Sequence, residues 1–271
     1  MALTELQRRV SRVIADLRRD LGESYLAGGV ALNEALRTRR LSYDFDLFHD
    51  TREAVLTSFE QDKRALESAG FSFELKRDLP GFMQALVRDS GDQVLVEWSH
   101  DSAYRFFPLQ FDDDLGLVLH LIDLATNKVL ALVGRVEVRD WVDILACHER
   151  LQPLGYLAWA ASGKDPGLSP GMILEEAART ARYSAEEVAA LAFDGPPPDP
   201  VVLSRQWRAA LQEAREIVEL LPADKSGNCV LDASGALFTG NPDELRSALA
   251  DGRLLFHAGH IRGAIPVVMA T

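Results

Sequence analysis

The chain has 271 residues, of which 47% are hydrophobic and 26% are charged, a mixture typical of a soluble globular protein and not of a disordered one. Acidic residues outnumber basic ones by 41 to 29, so the formal net charge is −12. This balance argues against a protein that coats nucleic acid by neutralising phosphates over its whole surface, although it allows a local basic cleft.

Neither the start of the chain nor its apolar runs predict a membrane segment. The N-terminal residues lack the apolar core of a signal peptide, and the apolar run Leu115–Ile122 is interrupted by His120 and is far shorter than a bilayer requires. The two cysteines, Cys147 and Cys229, form no Cys-x-x-Cys motif, which excludes a zinc ribbon and a thioredoxin-like redox site. We therefore expect a cytoplasmic protein with reduced core thiols and no membrane partner.

An early glycine turn and an acidic strand are the most informative features of the first half. The stretch Ser24–Ala27 runs directly into Gly28-Gly29 and then into good helix formers, which predicts a strand, a tight turn and a helix. Over Ser42–Leu47 polar and large apolar residues alternate, which predicts a strand with Asp44 and Asp46 on one face. The other elements predicted up to residue 151 are helices over 3–21, 51–69, 122–133 and 138–151, and strands over 71–77, 82–88 and 93–99.

The second half of the chain changes in character. Its strongest internal boundary is Gly195–Pro200, where four prolines predict a stiff polyproline connector. The elements predicted around it are two short helices over 170–193, a helix over 201–221, and strands over 229–232, 236–238 and 254–258 around a helix over 242–250.

Three carboxylates of the first half have the chemistry of a divalent metal site. Asp44 and Asp46 on one strand face repel each other, and a hard cation such as Mg²⁺ relieves that repulsion through oxygen ligands. Glu97 lies between Val96 and Trp98 in an apolar strand, where an unpaired charge is costly. A third carboxylate from a neighbouring strand would complete a site for two Mg²⁺ ions, which could activate an attacking hydroxyl and stabilise departing pyrophosphate.

The neighbouring residues have both functional and ordinary interpretations. A glycine turn that leads into a helix directs backbone N–H groups toward a phosphate, although it can equally be an ordinary turn. A second acidic pair, Asp112 and Asp114, lies in an acidic run and is interpreted as a solvated loop. His49 follows the acidic strand and is interpreted as a turn residue, with a position lining the cleft as the alternative.

Several blocks of the sequence resemble a known family. The blocks Tyr25–Leu32 and Arg40–Phe48 resemble the AbiEii/AbiGii nucleotidyltransferase-like toxin family, which belongs to the DNA-polymerase-β-like nucleotidyltransferase superfamily. The resemblance continues at Asp123–Arg135 and Arg139–Leu145 and so covers residues 24–147, whereas the region after about 200 takes no part in it. One departure is Val30, which stands where the family often has a hydroxyl residue.

The resemblance implies a role for each candidate site residue. Asp44, Asp46 and Glu97 would be the catalytic carboxylates that hold Mg²⁺. Lys128 would contact the triphosphate, with Asp143 or Asp140 supporting it from the following helix. For these residues the structural alternatives are a surface lysine at 128 and an i,i+4 ion pair between Arg139 and Asp143. The residues implied to bind the NTP are Gly28, Gly29, Ser42 and Lys128.

The predicted fold class is α+β. The resemblance implies a nucleotidyltransferase-type mixed sheet flanked by helices, and the residue patterns that follow predict a helical lobe and a small α/β tail. Residues 1–150 would form the nucleotidyltransferase-like domain. Residues 151–199 would form a helical extension with the proline-rich linker, and 200–271 a C-terminal helix with a small α/β segment.

The implied activity is Mg²⁺-dependent transfer of a nucleoside monophosphate from an NTP to a hydroxyl of RNA, tRNA or a protein. Such an enzyme would be a toxin of the abortive-infection or toxin–antitoxin type, with an antitoxin protein as a further partner. Two alternatives share the same fold, namely a catalytically silent binding module and a small-molecule (antibiotic-type) nucleotidyltransferase. An RNA acceptor requires a basic rim, for which Arg37, Arg39 and Arg40 are candidates, although they could instead form a solvated helix end.

Overall fold

The computed structural model describes residues 3–22, 24–179 and 182–267, so part of the segment 170–193, predicted as two short helices, lies outside the described residues. The chain forms two compact units. The first contains the residues up to Ala103 together with Pro108–Leu124, and the second contains Tyr104–Phe107 and the residues from Ala125 onward. The proline-rich segment lies inside the second unit.

The secondary structure alternates helices and strands in the first half and is mainly helical in the second. In chain order, the strands are β1 (Ser24–Leu26), β2 (Asp44–His49), β3 (Ser72–Leu79), β4 (Phe82–Asp89), β5 (Asp92–His100), β6 (Tyr104–Arg105), β7 (Gln110–Asp112), β8 (Gly116–Val118), β9 (Cys229–Asp232), β10 (Leu254–His257) and β11 (His260–Ile261). The helices are α1 (Glu5–Leu21), α2 (Gly28–Ala35), α3 (Arg52–Ser68), α4 (Leu121–Arg135), α5 (Val138–Arg150), α6 (Leu154–Ala161), α7 (Pro170–Arg179), α8 (Ala185–Ala189), α9 (Pro200–Leu220) and α10 (Pro242–Ala250).

The first unit contains a mixed seven-stranded sheet in the order β3-β4-β5-β2-β1-β8-β7. Strand β2 is parallel to β5 and antiparallel to β1, and β1 is parallel to β8. Helices α1 and α3 cover one face, since Phe59 of α3 packs edge-on against Trp98 of β5 with ring centroids 5.2 Å apart. On the same face, the guanidinium of Arg18 in α1 lies 5.9 Å from the Phe45 ring of β2. The predicted mixed sheet flanked by helices is therefore confirmed.

The second unit is a helical lobe that includes a short two-stranded sheet. Strands β9 and β10 pair antiparallel. Helix α6 was not predicted, because its eight residues are all buried and therefore show no amphipathic period. The predicted strand over 236–238 is reduced to a single bridge between Leu231 and Leu237. A buried cluster joins α6, α9, β9 and α10 and contains Tyr156, Trp159, Ile217, Leu221, Val230 and Leu245.

The two cysteines are core residues without a disulfide bond, as the sequence predicted. Cys147 and Cys229 are both buried and free of disulfide bonds. Burial, together with the nearby charge of Asp143, raises the pKa of the Cys147 thiol, which therefore stays protonated at neutral pH.

In the described part of the chain, no helix combines the length and the apolar character needed to cross a bilayer.

A buried ionisable cluster lies on the helix-covered face of the sheet. Burial raises the pKa of Asp62 in α3 to about 6, against the opposing effects of Arg18 and of a 2.8 Å hydrogen bond from Trp98 Nε1. His49 is completely buried, and burial lowers its pKa to about 4. Both interpretations of His49, as a turn residue and as a cleft residue, are therefore wrong, because it ends β2 on the buried face.

These opposite pKa shifts predict opposite pH dependences of stability in two variants. Neutral His49 contributes stability that is lost as the pH falls from its unfolded pKa of 6.5 toward 4, whereas Asp62 contributes stability that is lost as the pH rises from 3.8 through 6. The quantity to compare is the fall in the free energy of unfolding when the pH is lowered from 6.5 to 4.5. This fall should be about 2 kcal/mol larger in Asp62→Asn than in the unmodified chain, and about 2 kcal/mol smaller in His49→Gln. Urea unfolding at the two pH values measures this, and equal pH slopes in the two variants would contradict it.

Candidate active site

Strand β2 carries two acidic side chains on the sheet face opposite helices α1 and α3. Phe45 and Leu47 are fully buried, whereas Asp44 and Asp46, which alternate with them along the strand, are half-buried. The alternation follows from the period of two in a strand, so the apolar residues fill the core and the carboxylates share the other face. The predicted placement of these two carboxylates on one face is therefore confirmed.

Strand β5 brings a third carboxylate beside them. In the parallel ladder between β2 and β5, Asp46 is the register partner of Glu97, and adjacent strands lie about 4.8 Å apart. Glu97 is half-buried between the fully buried Val96 and Trp98, so it faces the same side as Asp46. Its Oε1 accepts a 2.6 Å hydrogen bond from Gln84 Nε2 of β4, which holds the carboxylate on this face.

The first two residues of α2, Gly28 and Gly29, form a feature that we call the glycine corner. Gly28 has a φ of +67°, which favours glycine, and a Cβ at this position would overlap the Asp46 carboxylate. The backbone is held there because Ala27 N donates a 2.9 Å hydrogen bond to Asp46 O. The absence of a side chain at Gly28 therefore lets the Asp46 carboxylate lie directly against the start of α2.

At Gly29 two polar side chains lie against the backbone. A Cβ at Gly29 would lie 2.7 Å from Arg40 Nη2 and 2.8 Å from Ser42 Oγ, so both groups need a glycine here. The carbonyl of Ser42 accepts a 2.7 Å hydrogen bond from the buried Gln7 side chain of α1, which fixes the segment before β2. Val30, where a hydroxyl residue is frequent in the resembled family, is fully buried.

The donor set fits Mg²⁺ in kind. Asp44, Asp46 and Glu97 offer only carboxylate oxygens, the ligands that this ion prefers, and they lie on one sheet face. As placed, the side chains of the described residues form no cluster of three or more His, Cys, Asp or Glu that could hold a metal ion.

The second unit holds Lys128 in a buried ionic network. Lys128 is only 7% exposed, so the surface-lysine alternative is wrong. Its Nζ donates to Asp140 Oδ1 at 2.9 Å and lies 3.2 Å from Asp143 Oδ2, while Arg135 donates to both oxygens of Asp140 at 2.7 and 2.9 Å. Burial alone would raise the pKa of Asp140, but the hydrogen bonds and charges of Arg135 and Lys128 hold it below its usual value. Both Asp140 and Asp143 thus support Lys128 from the following helix.

The remaining sequence candidates separate according to exposure. Of the three arginines considered for a basic rim, Arg37 and Arg39 are exposed, whereas Arg40 is buried against the glycine corner. Arg40 lies outside β2, which begins at Asp44, so the alternation of that strand gave no signal for the position of the Arg40 side chain. Asp114 is half-exposed and pairs with Arg12 at 2.8 Å, in agreement with a solvated acidic loop.

Sequence comparison leaves the chain without a matching relative. No protein-family model matches it, and no curated protein matches it.

Comparison of structures does find similar proteins. A protein from Helicobacter pylori described as a candidate nucleotidyltransferase matches 81% of this chain and 99% of its own, with 16% identity and a TM-score of 0.50. JHP933, also from Helicobacter pylori, matches 80% of this chain and 95% of its own at 16% identity and a TM-score of 0.50. MenT4, a nucleotidyltransferase toxin from Mycobacterium tuberculosis H37Rv, matches 81% of this chain and 85% of its own at 17% identity and a TM-score of 0.51. The chain therefore has the nucleotidyltransferase fold that the resemblance implied.

Proposed function

We propose that this chain is a Mg²⁺-dependent nucleotidyltransferase, which moves a nucleoside monophosphate from an NTP to an acceptor hydroxyl. The observation that carries the proposal is the arrangement of Asp44 and Asp46 on one face of β2, with Glu97 in register on β5 and the glycine corner against Asp46. Carboxylates beside a glycine-rich helix start combine a cation site with a phosphate site, which is the pair of sites that an NTP–Mg²⁺ complex requires.

The proposed chemistry divides among the residues as follows. Asp44, Asp46 and Glu97 hold Mg²⁺, which when bound neutralises phosphate charge and lowers the pKa of the attacking hydroxyl. The acceptor oxygen forms a bond to the α-phosphorus while the bond from that phosphorus to the bridging oxygen breaks, and pyrophosphate leaves. The hydroxyl proton passes to one of the carboxylates. Within the second unit, Asp140 and Asp143 keep the Nζ of Lys128 in one position.

The proposed acceptor is an RNA or tRNA, and the proposed biological role is that of a toxin controlled by an antitoxin protein. The similarity in fold to a nucleotidyltransferase toxin supports this choice. Because the chain as a whole is acidic, phosphate binding requires local cations, and the exposed Arg37 and Arg39 close to the acidic strand are suitable. A protein acceptor, a small-molecule acceptor and a silent binding module are the alternative outcomes of the test below.

The test follows label from the α-phosphate of each NTP into total RNA, protein or small hydroxyl compounds in the presence of Mg²⁺. We expect transfer from α-labelled but not from γ-labelled NTP, and loss of transfer when EDTA is added. Asp44→Asn and Asp46→Asn should each lower the rate at least about 100-fold, because each removes a charged metal ligand. The matched control is Asp113→Asn, which removes the same charge from an exposed loop and should leave the rate unchanged.

Each outcome distinguishes one function from the others. Label in RNA that is abolished by both substitutions supports the proposal, and label in a small compound or a protein redirects the acceptor. Binding of NTP without transfer to any acceptor would favour the silent module. A rate that survives both substitutions would overturn the proposed site.

A further inference from the structure

We propose that Arg40 binds the triphosphate of the NTP at the glycine corner and is the residue that positions it there. The inference deepens the proposed function and rests on it. It concerns the nucleotide and not the acceptor, and it assigns to a single buried arginine the main side-chain contact with phosphate in the first unit.

Burial and position separate Arg40 from an ordinary surface arginine. Arg40 is 5% exposed, and its Nη2 lies 2.7 Å from the position that a Cβ of Gly29 would occupy. Its Nη1 donates to Leu41 O at 3.2 Å, which holds one edge of the guanidinium against the backbone. The planar group therefore lies over the second residue of α2, where only a glycine leaves room for it.

The chemistry of this position matches a phosphate. The N-terminus of α2 directs backbone N–H groups and the positive end of the helix dipole outward, and Ser42 Oγ lies on the same side of Gly29 as Arg40. A guanidinium presents paired N–H donors that fit two phosphate oxygens at once, and such charge-assisted bonds are stronger than neutral ones. Because Val30 is buried and has no hydroxyl, Arg40 and Ser42 are the polar side chains that lie against Gly29.

The contrast with the neighbouring arginines identifies the phosphate as that of the NTP. Arg37 and Arg39 are exposed, so they suit a large acceptor that approaches from solvent. Arg40 instead shares the glycine corner with Asp46, one of the proposed Mg²⁺ ligands. A triphosphate bound to that ion would place its oxygens at the glycine corner. The phosphates of an acceptor are not bound to the ion, so nothing would place them there.

The experiment measures NTP affinity by calorimetry with Mg²⁺ and the full chain, alongside steady-state transfer to RNA. Arg40→Gln should weaken NTP binding about 10–100-fold, as expected for the loss of charge-assisted hydrogen bonds. Arg40→Lys should recover only part of the affinity, because an ammonium lacks the fork. The matched control Arg64→Gln removes the same charge from an exposed position of α3 and should bind NTP as the unmodified chain does.

Two further measurements separate the roles. Arg40→Gln should raise the KM for NTP more than the KM for RNA, whereas Arg39→Gln should raise only the KM for RNA. Thermal unfolding of every variant shows whether the fold is intact, and if Arg40→Gln does not fold, the comparison of Arg40→Lys with the unmodified chain carries the test.

The outcomes distinguish this inference from the function beneath it. If the unmodified chain binds and transfers NTP but a folded Arg40 variant binds it equally well, the inference is overturned and the proposed function stands. If Arg40→Gln raises the KM for RNA alone, the phosphate is that of the acceptor and the inference is likewise overturned. If the unmodified chain binds no NTP, both fail together.

Discussion

Replacement of Gly28 by alanine is expected to reduce nucleotidyl transfer about 1000-fold and to lower the free energy of unfolding by about 2–4 kcal/mol. Gly28 has a φ of +67°, where any Cβ is strained, and the new methyl group would lie 2.6 Å from the Cγ of Asp46. Either Asp46 or the start of α2 must move. Both belong to the proposed catalytic geometry, in which a displacement of about 1 Å is costly.

The control for this variant is Gly22→Ala. Gly22 ends α1 with a φ of +66°, almost the same backbone conformation, but a Cβ there would meet nothing within 4 Å. It should therefore show the conformational strain of about 1 kcal/mol without the loss of transfer. The comparison of urea unfolding curves and initial rates isolates the collision with Asp46. Equal effects of the two substitutions would show that the glycine corner has no special role.

Replacement of Asp140 by alanine is expected to destabilise the second unit by about 3–5 kcal/mol, because it leaves buried positive charge without its main partner. Asp140 is fully buried and receives hydrogen bonds from Lys128 and Arg135, and Lys128 would retain only Asp143. Urea unfolding of the full chain measures the loss. An exposed ion pair should matter far less, so Glu176→Gln, which loses the pair with Arg179, is the control and should cost less than about 1 kcal/mol.

A double variant tests the cause of this instability. If the cost of Asp140→Ala arises from the unpaired ammonium of Lys128, then Lys128→Met combined with Asp140→Leu should unfold at a higher urea concentration than Asp140→Ala alone. We expect this double variant to be folded. A double variant no more stable than the single one would locate the instability elsewhere.

Local patterns predicted much of the first unit. The alternation around Asp44 and Asp46 identified β2 and the shared face, and the glycine pair identified the turn into α2. Helical spacing identified α1 and α3 to within a few residues, and it did the same for α4 and α5, most of whose residues belong to the second unit. These features depend on residues that are close together in the chain, because backbone geometry repeats with a period of two residues in strands and 3.6 residues in helices.

Spacing alone predicted less of the surroundings of each side chain. Arg40 and Lys128 could each be interpreted as exposed, yet Arg40 lies against Gly29 and Lys128 is enclosed by Asp140 and Asp143. Helix α6 escaped prediction because burial on all sides removes the amphipathic period.

The amino-acid order thus determined which elements form, which face of β2 is acidic and where a glycine is required. The tertiary structure decided which strand lies beside β2, and so brought Glu97 into register with Asp46 across about fifty residues of intervening chain. It also decided which ionisable groups are buried, as with His49 and Asp62. The physical reason is that the spacing of polar and apolar residues indicates only the strand or helix that a segment forms. Strand partners and burial depend on how distant segments pack, and no local pattern determines that packing.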